Sequence, residues 1–121
     1  MKPRTQPDSL DALREALRAF AAEREWAQFH TPKNLAMALS GEAGEVIEHF
    51  QWLTAEQSAE LTPEARAAVA LELADVLMYL VRLADVLDVD LVAAAQRKLA
   101  LNAERYPVER ARGRSDKYDR I

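Results

Sequence analysis

Two acid pairs carry the chemistry in this sequence. Glu42-Ala43-Gly44-Glu45 and Glu72-Leu73-Ala74-Asp75 each set two carboxylates three residues apart, so on a helix each pair shares a face. If the two pairs converge between packed helices, they repel and raise one another's pKa. A divalent cation removes that penalty, and hard oxygen donors suit Mg²⁺ or Mn²⁺. Zinc is disfavoured: cysteine is absent and neither histidine stands at ligand spacing. Di-iron bundles use Glu-x-x-His, whereas the partners here are Glu45 and Asp75. With 20 acidic residues in the chain, an ExxE pair alone is weak, and ordinary exposed helix acids are the plain alternative. The surroundings sharpen the first pair. At about 100° per residue, Leu35, Leu39, Val46, Phe50 and Leu53 form one stripe with Glu42 in its middle. A glutamate there is nearly buried, which is unfavourable unless it is paired or holds a metal. Further on, Glu72, Asp75 and Tyr79 share a narrow sector beside an apolar face of Leu73, Val76, Leu77, Leu80 and Leu87. For Tyr79, ligand contact and core filling are equally open. Gly44 leaves room for a neighbouring helix or ligand. Glu48 extends the acidic row, as an outer ligand or base or, more simply, as a solvated acid.

The elements that must position these acids are helices. Half of the 121 residues are hydrophobic, only three are glycine, and Ala, Leu, Glu and Arg dominate. Asp8 or Ser9 caps a first helix, with Leu10, Leu13, Leu17 and Phe20 at three- and four-residue steps, running to about Trp26. Thr31 followed by Pro32 opens a second helix, to about Leu53. Residues 54–61 read as polar and irregular. Thr62 and Pro63 repeat the start signal for a third helix, to about Leu87, and Asp90 caps a fourth from Leu91 to about Tyr106, stopped by Pro107. The expected architecture is all-α, a four-helix bundle forming one domain over residues 1–121, with flexible ends at about 1–7 and 109–121. The apolar residues on several faces of the third helix (Val69, Val76, Met78, Val81, Val86) predict burial against other subunits.

Composition excludes several classes. The net charge of −4 argues against a nucleic acid polymer as partner. The N-terminus lacks the apolar stretch of a signal peptide, and runs such as VLMYLV are too short to span a bilayer. A cytoplasmic protein with no membrane partner is expected.

ExxE followed at a distance by ExxD resembles the signature of the MazG-like, all-α NTP pyrophosphohydrolases. The segments FAAEREWAQFHTPKNL (20–35), GEAGEVIEHFQW (41–52), ELADVLMYLV (72–81) and KLALNAERYP (98–107) resemble its dCTP pyrophosphatase branch, and Asp116-Lys117-Tyr118 has a counterpart there too. The resemblance implies that Glu42, Glu45, Glu72 and Asp75 bind Mg²⁺. It implies that Trp26 and Trp52 line a base pocket, and that Tyr79 and Asn102 meet the nucleotide near the sugar and phosphates. Lys98, with Arg105, Tyr106 and Lys117 as further candidates, would complete the substrate contacts. It also implies a tetramer with active sites completed by neighbouring subunits. The implied reaction is Mg²⁺-dependent hydrolysis of a deoxynucleoside triphosphate, dCTP or a modified dCTP, to the monophosphate and pyrophosphate. Glu45 is the candidate to accept the proton of the attacking water. Clustered carboxylates with bound cations would let an acidic protein hold an anionic substrate.

The residues alone are compatible with blander roles. Tryptophans also pack cores, and Lys98 with Asn102 also makes a solvated face. His30 and His49 show no legible partner and read as structural. One departure concerns the base. That branch often carries a histidine nine residues before the tryptophan matching Trp26, and Leu17 stands there. Cytosine is then expected to be preferred over purines by size, with weaker discrimination among cytosine, 5-substituted cytosine and uracil. The competing readings are a pyrophosphohydrolase of other or broad base preference, such as dUTP, and a non-catalytic helical oligomerisation module.

Overall fold

The computed structural model describes residues 6–121. The arm expected at residues 1–7 falls outside this range for residues 1–5. All regular structure among the described residues is helical, as expected, and no helix among them is long and apolar enough to cross a membrane. The chain divides into two compact units, the first ending at Asp88 and the second spanning Val89–Ile121.

In the first unit, α1 runs Leu10–Glu23, and Ser9 is its cap, accepting from the Ala12 N–H at 3.1 Å. It stops three residues short of the expected Trp26. Glu25 turns left-handed at φ 54°. The N–H groups of Glu25 and Trp26 then return to the carbonyls of Ala22 and Ala21 at 3.1 and 2.9 Å. This is a Schellman closure, ordinarily marked by glycine, so a glutamate at that position hid the helix end. A short 3₁₀ turn, Ala27–Phe29, follows.

Helix α2 is Pro32–Glu48, capped by Thr31 as expected. It also ends early, and Thr54 and Gln57 form a reciprocal capping box on the one-turn helix α3, Ala55–Ser58. The signal T-x-x-Q was present in the stretch read as irregular. Helix α4, Pro63–Val86, begins at the Thr62 cap and ends at Leu87, close to expectation.

Helix α4 packs against both α2 and α1. Among the described residues, the buried ones are Ala21 of α1, Leu35 of α2, and Val69, Val81 and Ala84 of α4. This corrects the expected faces of α4. Leu73, Leu77, Leu80 and Leu87 are exposed, at 38–53 % of their full surface, whereas Val69 and Val81, assigned to partner subunits, fill the unit's own core. A helix with apolar residues on several faces does not reveal which side its neighbours occupy. The inward side of α4 is the one that also carries its acids.

In the second unit, α5 spans Leu91–Arg105 from the Asp90 cap, matching expectation. The segment expected to be flexible, 109–121, is instead organised by a one-turn helix α6, Val108–Ala111, and a 3₁₀ turn, Tyr118–Arg120. Tyr118 meets Tyr106 edge-on at 6.2 Å, and the Arg105 guanidinium lies 5.0 Å over the Tyr118 ring. One aromatic thus ties the charged tail to the end of α5 without any periodic pattern.

Candidate metal and nucleotide site

Helices α2 and α4 bring the two acid pairs together. Glu42, Glu45, Glu72 and Asp75 each offer an oxygen, and all four oxygens lie within 4.8 Å of one another. Opposite ligands of an octahedral Mg²⁺ stand about 4.2 Å apart, twice the ~2.1 Å bond, so this cluster needs only a slight contraction to hold such an ion. Glu42, Glu72 and Asp75 are half-buried and Glu45 is exposed. One carboxylate oxygen of Glu42 and one of Glu72 are buried with no hydrogen-bond partner. Orphaned buried acceptors of this kind call for a cation or a proton. No neighbouring helix among the described residues closes on Gly44, since a Cβ there would meet nothing within 4 Å.

The electrostatics follow from this crowding. The Glu42 carboxyl is pushed up to about 7, first because Glu45 stands within hydrogen-bonding reach and favours a shared proton. Burial and the charges of Glu45, Asp75 and Glu72 push the same way. Glu72 is raised for similar reasons, and the nearby His49, whose Nε2 is 3.8 Å from the Glu72 Oε1, partly offsets the shift. The raised Glu42 value makes the folded protein hold a proton that the unfolded chain, near 4.5, has released. Folding stability from this group therefore falls as pH rises through that window. His30 acts in the opposite sense, because its pKa is lowered, so the prediction is a difference. With EDTA present, Glu42→Gln should melt higher than wild type, and the gap in Tm should widen from pH 5 to pH 8. Adding Mg²⁺ should raise the wild-type Tm most at pH 8.

Beside the cluster lies a cavity of about 320 Å³. Glu42 and Asp75 belong to its wall, together with Leu17, Phe20, Trp26, Met78 and Tyr79. The early end of α1 brings Trp26 here, where it meets Phe20 edge-on at 5.8 Å. Tyr79 stands one turn beyond Asp75 on α4, which places it between the acids and the aromatic end. The wall also contains His30 and Arg82. From sequence His30 reads as structural and Arg82 is not singled out. Their signal lay in sequence position alone: Arg82 falls on the Asp75–Tyr79 face by helical spacing.

Trp52 is not brought to this cavity and stands 87 % exposed in the turn after α2. Lys98, Asn102, Arg105, Tyr106 and Lys117 all belong to the second unit. There Asn102 is half-buried and Lys98 is exposed, four residues apart on α5, while Arg105 and Tyr106 gather around Tyr118 next to Lys117.

The chain is similar to known proteins over most of its length. Residues 37–121, which include all four acids, match the model of the MazG-like family. Human dCTP pyrophosphatase 1 is 46 % identical over 115 residues, covering 93 % of this chain and 68 % of its own. The rat protein of the same name is 48 % identical over 115 residues, covering 91 % and 66 %. The chain thus spans about two thirds of the length of these curated relatives. A pyrophosphatase of known crystal structure from Archaeoglobus fulgidus superposes with a TM-score of 0.78 at 36 % identity, over 88 % of this chain and 99 % of its own. An all-helical fold, the convergent acids and these matches lead to one assignment: the chain belongs to the MazG-like family.

Proposed function

We propose that this protein hydrolyses a deoxynucleoside triphosphate, dCTP or a modified dCTP, to the monophosphate and pyrophosphate, and so clears surplus or altered precursors. The observation that carries the reading is the continuity of the acid cluster with an aromatic cavity through Glu42 and Asp75. One end suits polyphosphate held through cations and the other suits a flat base. The dCTP pyrophosphatases to which the chain is 46–48 % identical support the same reaction.

Glu42, Glu45, Glu72 and Asp75 would hold the divalent ion, Mg²⁺ with Mn²⁺ as the alternative. The bound ion would supply charge neutralisation at the phosphate oxygens and a lowered pKa for the attacking water. Glu45, the exposed member of the cluster, would accept that water's proton. Glu42 must give up its own proton to act as a ligand, so at sub-saturating Mg²⁺ activity should rise with pH through about 7. Trp26 and Tyr79 orient the base and sugar, with Trp26 offering its flat face. Lys98, Asn102, Arg105, Tyr106 and Lys117 are the proposed phosphate and sugar contacts of the second unit, and the family resemblance supports their role. The proposed location is the cytoplasm, a compartment that holds nucleotide precursors.

The proposed assembly is a homotetramer. Met37, Ile47, Leu71, Leu73 and Leu99 are each more than half exposed, which is more apolar surface than a monomer usually shows to water. Trp52 would be covered in that assembly and close on the base. Light scattering at micromolar concentration should give the tetramer mass.

The base assignment is tested with a panel of deoxynucleoside triphosphates and Mg²⁺. dCTP should be hydrolysed with a higher kcat/KM than dATP or dGTP, and equal efficiency for a purine would refute the dCTP reading. In Ca²⁺, dCTP should quench tryptophan fluorescence. Trp26→Ala should weaken binding by about 1–3 kcal/mol, the range for base–aromatic stacking.

A further inference from the structure

The apolar lining of the cavity is interrupted by two nitrogen-bearing side chains that the proposed hydrolysis does not use, His30 and Arg82. They are joined to each other. The Arg82 Nε–H donates to His30 Nδ1 at 3.0 Å. A guanidinium offers only donors, so Nδ1 is the acceptor and the imidazole proton resides on Nε2. Burial, and then the neighbouring Arg82 charge, hold the imidazole pKa below its ordinary value, which keeps the ring in this neutral form.

Arg82 is itself fixed. Its Nη1 donates to Asp85 Oδ2 at 3.2 Å. Asp85 also accepts from Arg18, through Nε at 3.0 Å and through Nη2. The side chains of Arg82 and Asp85 are only 12 % and 10 % exposed. The Arg82 charge is thus compensated on the spot, and the group acts as a rigid fork of donors rather than as a free phosphate-binding cation. Two kinds of donor are left without a partner among the described residues, the His30 Nε2–H and the Arg82 Nη2–H groups. Nη2 shares the guanidinium edge with the Nε that meets the imidazole, so both belong to one patch of the lining.

Helix α4 orders the groups along its axis. Asp75, Tyr79 and Arg82 follow at steps of four and three, and at 1.5 Å per residue Arg82 lies roughly 10 Å beyond Asp75. A nucleotide with its phosphates at the acids therefore carries its base toward His30 and Arg82.

We infer that His30 and Arg82 form a donor pair that reads the O2 and N3 acceptors of cytosine and so sets the preference of this site for cytosine over uracil and thymine. The inference rests on the proposed function, in which this cavity receives the base. Cytosine presents two adjacent acceptors on that edge, whereas uracil and thymine present a donor, N3–H. A donor set against a donor leaves buried polar groups unpaired, and a polar pocket rejects such a mismatch far more strongly than an apolar one can. The polar contact that Leu17 lacks is thereby supplied from the start of α2 and from α4, and the weak discrimination expected from Leu17 is replaced by a strong one.

The test is the ratio of kcat/KM for dCTP to that for dUTP, with Mg²⁺, in wild type, His30→Phe and Arg82→Met. Each substitution should lower the ratio at least about tenfold, because the loss on dCTP exceeds any change on dUTP. A measurement on the unaltered protein guards against variants that do not fold. 3-Deaza-dCTP, in which N3 becomes C–H, should be turned over at least about tenfold less efficiently than dCTP, and 5-methyl-dCTP should match dCTP within a few-fold. An unchanged ratio in both folded variants, or 3-deaza-dCTP as good as dCTP, would overturn the donor pair and leave the proposed hydrolysis standing. Absence of turnover with every deoxynucleotide would overturn the hydrolysis and this inference with it.

Discussion

Glu42→Gln and Asp75→Asn should each lower kcat/KM for dCTP by roughly three orders of magnitude, with the helical circular dichroism unchanged. Each substitution removes one anionic oxygen from a cluster whose members lie within 4.8 Å of one another. An amide oxygen is a far poorer partner for a hard divalent cation. Metal assistance is worth several kcal/mol of transition-state stabilisation, and each ~1.4 kcal/mol is tenfold in rate. The fold survives because these carboxylates oppose folding when no cation neutralises them: Glu42 is held protonated up to about 7 by its neighbours. Activity falling in parallel with loss of helix would mean that the acids are structural. Near-wild-type kcat/KM in a folded Glu42→Gln would remove the acid from the reaction.

Asp85→Ala should destabilise the fold strongly, although the residue lies outside the acid cluster and outside the apolar core. Asp85 accepts from both Arg18 and Arg82, and its side chain is 10 % exposed. The two arginines hold its carboxyl below the ordinary carboxylate range, the hydrogen bond from Arg18 first. Removing the acid leaves the Arg82 guanidinium, 12 % exposed, without a counter-ion. Stranding a buried charge costs about 3–5 kcal/mol. Arg18 is 52 % exposed and rehydrates, so we expect about 2–3 kcal/mol, or a fall in Tm of roughly 10 °C for a domain of this size. Arg18→Ala should lower Tm far less, because Arg18 is largely exposed and Asp85 keeps its pairing with Arg82. Thermal melts of both variants check the contrast, and an Asp85→Ala melt within 2–3 °C of wild type would contradict it.

The acids were legible because their type and their spacing carry the same message. Glu42 inside the stripe of Leu35, Leu39 and Val46 announced a half-buried charge, and a half-buried charge demands a counter-charge. Thr31-Pro32, Thr62-Pro63 and Asp90 fixed three helix starts, because capping is local chemistry. Helix ends were less legible. Glu25 closes α1 in a left-handed conformation without the glycine that usually marks it. The donor pair at His30 and Arg82 was hidden for a different reason. The two residues lie 52 positions apart, and neither belongs to a local motif, so only the packing of α4 against its neighbours brings them together. The same packing decided which side of α4 is core, which the spread of apolar residues over several of its faces left open.

Phosphorus NMR of dCTP incubated with the protein and Mg²⁺ tests the central claim most directly. The account predicts that the triphosphate signals are replaced by dCMP and pyrophosphate in equal amounts, that EDTA stops the conversion, and that Glu42→Gln shows none on the same timescale. Release of orthophosphate with dCDP, or conversion that proceeds unchanged in EDTA, would contradict it.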